Sequence, residues 1–576
     1  MPEPTDPTGP TDSTPSDPLQ PADPGLGEPV EAPALGEPEE PVELAEPAVP
    51  TSDDVPDATD VPDATDLPDG FDEPQRAPRT AKGVAIVGVR LVAGTVGVGI
   101  AAVAIAIAAL APLPVVQSTA PSLLVTPVPS AQQLVCPGTF LRLGDEQGQD
   151  ATSAAPIGRT TTRFETTAGT VDELSLAGGG VSPGNPLRLG LPAGGDSEAR
   201  LAGAQSQDVD AADFVGLAAA SCAGSATESW LVGGSAAVGR TTLLTLANPS
   251  DVAATVAVDI YGEQGIITAP GTTGIIVQPQ SQRVLSISGF APGIEAPVVH
   301  VTSRGGQIVA NLHQVTVRGL DPGGVDIVGA TAPPARDQVI PGLITANSIV
   351  LRGALGANGF ADLETVLRVL AIGDEPGNAT VTIEPDDGLP IDEPVGEDGT
   401  TRGATVTFDL VGGRVIDLPI ENLKDGSYTV TVTADVPIVA AVRASTVIGD
   451  APVAGALASR PVSSDFAWLP AAAAFPEDTL VTIAEGPGAV LHLNNPADID
   501  VDVAIDAIDG ESLTLRVPAR GSASIPVEAG ESYLLGGFES LTGSVTFLEL
   551  DDSAQIAGYA VQPGAANATP VTIYPR

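Results

Sequence analysis

Residues 239–265 read GRTTLLTLANPSDVAATVAVDIYGEQG. An apolar run meets an Asn-Pro turn, then a run that alternates in steps of two, then an acidic turn rich in Gly. Alternation as in VAVDI sends successive side chains to opposite faces, which is a strand with one buried face. The unit returns at 361–388 (ADLETVLRVLAIGDEPGNATVTIEPDDG) and at 488–510 (GAVLHLNNPADIDVDVAIDAIDG). Each copy also closes on similar text, at 297–316, 428–447 and 543–562, read as strand, polar hairpin, strand. Copies begin about 110–130 residues apart, a domain's length rather than a solenoid's.

Short β-branched runs with frequent turn signals indicate antiparallel sandwiches. The expected fold is therefore all-β, with tandem immunoglobulin-like β-sandwich modules at 227–337, 338–463 and 464–576. A Pro/Ser-rich stalk and a small β-rich module without a strong period occupy 113–226. Trp230 and Trp468 open the first and third copies and read as core anchors at equivalent corners.

The N-terminal part is different. Residues 91–111 (LVAGTVGVGIAAVAIAIAALA) are apolar and long enough for a membrane-spanning helix. Arg76, Arg79, Lys82 and Arg90 precede the run, and no Lys or Arg comes before Arg76. The positive-inside rule then places the N-terminus in the cytoplasm and the modules outside the cell. Small-residue cleavage sites at 109–111 and 118–120 are each followed by Pro, so the run reads as an uncleaved signal-anchor. The expectation is an anchor at 83–112 behind a disordered, acidic, Pro-rich tail at 1–82.

The net charge is −49. Phosphate backbones need clustered Lys and Arg, so nucleic acid is excluded as a partner. Cys136 and Cys222 both follow the apolar run. In an oxidising exterior such a pair reads as a disulfide; two buried free thiols are the alternative. The bridge would close a loop of roughly 85 residues, worth about 4 kcal/mol in the chain-entropy model.

No catalytic constellation stands out. Ser182 lies in GVSPG at 180–184, but a nucleophile elbow needs a strand before it and a helix after, and the flanks are Gly-rich loop. Gly97, Gly99 and Ala102 match a dinucleotide fingerprint by letter, yet lie inside the membrane run. His300, His313 and His492 fall in strands without an acid at triad-like spacing. Asp498, Asp500 and Asp502 alternate, which would place three carboxylates on one strand face for Ca²⁺; 384–398 is a second acidic stretch. No other cofactor is expected. Tyr261, Tyr428, Tyr533, Tyr559 and Tyr574 are the aromatics that a sugar site could use.

ESWLVGGSAAVGRTTLLTLANPS (228–250), GGVDIVGATAPPARDQVIPGL (323–343) and CPGTFLRLG (136–144) resemble the actinobacterial family named domain of unknown function 5719. The resemblance covers most of 136–576. It implies an anchored, extracytoplasmic protein in a cell-envelope setting and supplies no catalytic residue. The function expected is that of a non-enzymatic binding or scaffold module, with an envelope protein or glycan as partner. The alternative is a glycan-binding accessory or enzyme of wall polysaccharide.

Overall fold

The alternating runs form strands, and the protein is all-β, built from several antiparallel sheets. The structure, a computed structural model, describes residues 123–125, 131–144, 154–178, 184–192, 199–386, 401, 403–450, 460–563 and 571–573. The expected tail and anchor, 1–82 and 83–112, lie outside the described residues. Among the described residues, no helix is long and apolar enough to cross a membrane. An α-helix at Ser348–Leu355 departs from the expectation of strands alone. Barely two turns are too few for a helical period to stand out.

Residues 239–265 supply two strands that go to different sheets. Arg240–Asn248 pairs with Ser281–Ser286 and with Val309–Arg318, which in turn pairs with Asp321–Val328. Ala254–Gly262 pairs with Gly265–Ile267, Ile275–Val277 and Val298–Arg304, and the last pairs with Glu228–Val232. Leu244, Leu246, Val256, Val258 and Ile260 meet between the sheets in one core. The Asn-Pro turn has a mechanical reason. Asn248 Nδ2 donates to the carbonyls of Val252 (2.8 Å) and Val277 (3.1 Å), while Oδ1 accepts from Ser250 N (3.0 Å). Asn495 repeats this with Ile499 (2.8 Å), Pro518 (3.1 Å) and Ala497 N (3.0 Å). An Asn side chain can satisfy a tight turn's backbone groups in place of a backbone partner.

The three closing segments are not equivalent. Val298–Arg304 and Val309–Arg318 lie in different sheets. Their counterpart at 428–447 is a single strand, Gly426–Ile448, whose first part pairs with Gly377–Pro385 and whose later part pairs with Val366–Ala371. Only 543–562 contains a paired hairpin, Ser540–Glu549 with Gln555–Ala560. A polar break between apolar runs reads the same whether the chain turns back or crosses to the facing sheet, because period two carries no information about partners. For the same reason the two Trp are not at equivalent corners. Trp230 is on the first strand of its module, whereas Trp468 is on the last strand of the preceding one. Both are core residues.

The pairing order recurs at both ends of the described chain. Val490–Asn495, Gly521–Pro526, Ser540–Glu549 and Gln555–Ala560 share one sheet; Thr479–Thr482, Val501–Ala507, Leu513–Val517 and Ser532–Gly536 share the other. Residues 132–224, within the stretch expected to hold a small β-rich module, repeat the scheme in reduced form. Thr161–Thr166, Leu201–Asp210 and Val215–Ser221 form one sheet, and Gln132–Cys136, Asp172–Ser175 and Leu187–Leu191 the core of the other. The described residues thus hold four related modules, the third with its two halves joined into one seven-stranded sheet by the long strand Gly426–Ile448. Cys136 and Cys222 are bonded, which settles the disulfide against free thiols. Ser463–Pro470 pairs with Gly426–Ile448.

One strand from each module faces the centre: β1 (Val215–Ser221), β2 (Asp321–Val328), β3 (Ser463–Pro470) and β4 (Gln555–Ala560). They pack in a ring, β1 on β2, β2 on β3, β3 on β4 and β4 on β1. Each ends a sheet of its own module, so the ring joins the four sheets without merging them.

Candidate functional site

A buried carboxylate sits inside the ring. Asp465 of β3 accepts at Oδ2 from Leu217 N of β1 (2.9 Å) and Ile556 N of β4 (3.1 Å), and at Oδ1 from Val325 N of β2 (3.1 Å). One side chain thereby satisfies backbone donors from the other three modules. Burial pushes its carboxyl well above the usual range, against the pull of those N–H groups and that of Phe466. The close approach depends on glycine: a Cβ at Gly324 would stand 2.6 Å from Oδ1, and one at Gly216 2.5 Å from it.

Nearby groups lock the second and third modules. Trp468 N donates to Asp326 Oδ2 (2.7 Å), and its indole N–H donates to Gln314 (2.8 Å). Arg368 lies over the indole, 4.4 Å from the ring centroid. Its guanidinium forks onto Asp417 (2.8 and 2.9 Å) and reaches the second module's carbonyls of Gly234 (2.8 Å) and Pro297 (3.2 Å). A planar fork that spends its donors this way fixes both distance and angle.

Beyond the C-terminal ends of β1–β4, the departing segments enclose a pocket of about 370 Å³. Ser221, Thr331, Ala471 and Gln562 represent the four modules in its wall. Glu228 is the one ionisable residue among the described lining, and its carboxylate is engaged. It accepts from Trp230 Nε1 (3.1 Å) and lies 3.0 Å from His300 Nε2. His300 stacks on Trp230 at 3.9 Å, and its Nδ1 is 3.5 Å from Asp259. Trp230, His300 and Asp259 are direct neighbours across three strands, which is why they meet. Asn311 also lines the pocket. It is 3% exposed.

The residues singled out from the sequence are dispersed. Ser182, Tyr574 and all of 384–398 after Asp386 lie outside the described residues. His492 does have an acid: Nδ1–H donates to Asp386 (2.8 Å), and Nε2 is 2.8 Å from the Thr546 hydroxyl. The acid stands 106 residues away, beyond any spacing rule. His300 likewise lies between two carboxylates, Glu228 and Asp259, both distant in sequence. His313 is buried with both nitrogens unpartnered, and burial pushes it down to about 3.

Asp498 and Asp500 precede the strand Val501–Ala507 and only Asp502 belongs to it, so the three do not share a strand face. Arg516 spans Asp500 (2.7 Å) and Asp502 (3.3 Å), and Arg520 pairs with Asp498. Among the described residues, no cluster of His, Cys, Asp and Glu could hold a metal ion. Tyr428, Tyr533 and Tyr559 are buried and cannot serve as sugar platforms. Asn311 was missed because a lone Asn in VANLHQ carries no signal until the four modules close around it.

Residues 183–528 match a family described as "Family of unknown function (DUF5719)". The match runs over more than half of the chain, from the first module into the fourth, and the chain belongs to that family. No curated protein matches it.

Proposed function

We propose that this DUF5719 protein is a non-enzymatic, membrane-anchored scaffold of the cell envelope that holds an uncharged, hydroxyl-bearing ligand, a sugar ring of an envelope glycan, in the pocket beyond β1–β4. In this reading 91–111 is the anchor, the modules are immunoglobulin-like sandwiches, and they stand outside the membrane. The disulfide supports an oxidising exterior.

The observation that carries the ligand reading is Asn311. A carboxamide in a cavity wall offers a donor and an acceptor together to whatever fills the cavity. A hydroxyl serves both. The wall offers no unengaged charge, which disfavours ions. A volume near 370 Å³ lies within the usual range of small-molecule sites.

Against catalysis stands the burial of a triad-like line among the described residues. Thr546, His492 and Asp386 have the connectivity of nucleophile, base and acid. They are 1%, 0% and 6% exposed, so the hydroxyl has no route to a substrate. They instead join the third module to the fourth.

Calorimetric titration of the full chain with neutral oligosaccharides tests the reading. Saturable heat that disappears in Asn311→Leu at an unchanged melting temperature is the expected result. Absence of heat with every neutral sugar, or release of new reducing ends, overturns it.

A further inference from the structure

The opposite end of the ring, where β2 and β3 begin, carries a second concave feature of about 420 Å³ with the reverse electrostatics. Arg318 forks onto Asp362 (2.9 and 2.7 Å) and donates to Ser464 of β3 (2.8 Å). Arg240 shares the same carboxylate at 3.2 Å. Arg460 pairs with Asp321 at the mouth. Phe360 lies under two of these cations, 5.3 Å from Arg318 and 5.8 Å from Arg460. Three guanidiniums against two carboxylates leave a surplus of one positive charge, in a chain of net charge −49.

The rim is apolar. Val238, Leu320 and Val462 are 97%, 94% and 82% exposed, the three most exposed large apolar side chains among the described residues. Single exposed apolar groups need no explanation, but Val238 lines this feature, and Leu320 and Val462 stand one and two residues from its lining residues Asp321 and Arg460. Val238 precedes Gly239, whose carbonyl accepts from Val317 N (2.7 Å). Leu320 is next to Asp321, the partner of Arg460, and Val462 follows Arg460 by two residues.

We propose that this mouth docks an acidic segment of a partner protein in which carboxylates alternate with apolar side chains. Charge complementarity names the acid. The rest of so acidic a chain repels anions, and clefts lined by the rarer sign focus approach. Arg460 is free to exchange partners, because its present one is a surface pair of little worth: the two side chains are 66% and 48% exposed. Arg318 and Arg240 hold Asp362 and give the floor a fixed shape. The rim names the rest: phosphate polymers and free anions have no apolar groups with which to cover Val238, Leu320 and Val462. A bilayer surface does not enter a cavity of this size. Arg and aromatic side chains set in a concave patch are also the residues that dominate protein–protein binding.

The test uses the full chain in nanodiscs and a fluorescent peptide that alternates Asp or Glu with Leu or Val. A matched peptide with Asn and Gln for the acids is the control. The acidic peptide is expected to bind at least about tenfold more tightly, and to weaken with salt. Arg460→Gln and Leu320→Ser, both at exposed positions, are each expected to lower its affinity several-fold while the melting temperature stays put. Equal binding of the two peptides overturns the proposal. So does an unchanged affinity in Arg460→Gln, or full displacement of the peptide by inorganic phosphate or by anionic vesicles at equal charge. Sugar binding at the other end of the ring is measured in parallel, so failure of either site leaves the other standing.

Discussion

The first and second modules share one pairing order but are held together differently. The second closes over a large apolar core that includes Trp230, Leu244, Val258 and Val299. The first gathers Leu134, Leu189, Leu191, Ala199 and Leu201 around its cysteines and little else. A small module buries too small a fraction of its surface to stand alone. This one is closed by Cys136–Cys222 and by side-chain amides: Gln205 bonds both to N and to O of Gly138 (2.9 and 2.7 Å), and Gln207 accepts from Phe140 N (2.9 Å). It also leans on the ring through Leu217 N and Asp465. Same topology therefore does not mean same independence. The first module depends on the covalent bond and on its neighbours.

The sharpest way to break that contrast is Asp465→Ala. Three backbone N–H groups from three modules would lose their acceptor inside the ring. At about 1–3 kcal/mol for each orphaned donor, a loss of about 5 kcal/mol is expected. Denaturant titration should then show the first module unfolding ahead of the rest; a single unshifted transition would refute the role given to Asp465. Next comes the disulfide. Reduction, or Cys136→Ser with Cys222→Ser, should cost about 4 kcal/mol and fall on the first module. Hydrogen exchange resolves where the loss appears, and uniform loss across all modules would count against the dependence described above.

Smaller effects come from titration at the junction. Burial pushes Asp326 up to about 8, against the N–H groups of Trp468 and Ile327. A carboxyl raised in the folded state contributes stability that is complete below its ordinary value of 3.8 and lost as pH rises to about 8. Asp326→Asn should remove that slope, gaining relative to wild type between pH 4 and pH 8; parallel pH–stability curves would refute it. His313 has the opposite sign. Pushed down to about 3 by burial, it supports the fold above 6.5 and loses that contribution as pH falls toward 3. Urea midpoints of His313→Leu should stay flatter over the acid range than those of wild type. The smallest effect concerns the acidic run Asp498, Asp500 and Asp502. With Arg516 and Arg520 already on those carboxylates, calcium should leave the melting midpoint unchanged. A midpoint that climbs with calcium would show that the ion displaces the arginines.

Strands were legible wherever a buried face imposed period two, as in VAVDI and TVTVT. The Asn-Pro turns were legible too, because Asn248 and Asn495 do the same local work. The fourth copy was not. Residues 132–224 keep the pairing order but have short strands and a thin core, so the alternation that marks the other copies is weak there. The axial pocket was invisible for a different reason. Its wall takes Ser221, Asn311, Ala471 and Gln562 from four modules, and no window of sequence contains two of the four.

What the sequence by itself determined is local. Side-chain alternation set the strands, turn chemistry set their ends, and the surplus of Asp and Glu set the expectation against nucleic acid as a partner. A cysteine pair beyond an apolar run pointed to a bridge. Only the tertiary structure decided which strand pairs with which, that the four modules share one ring, and that His492 lies beside Asp386. The physical reason is range. Period and propensity act over a few residues, whereas a buried carboxylate such as Asp465 is satisfied by donors 91, 140 and 248 positions away.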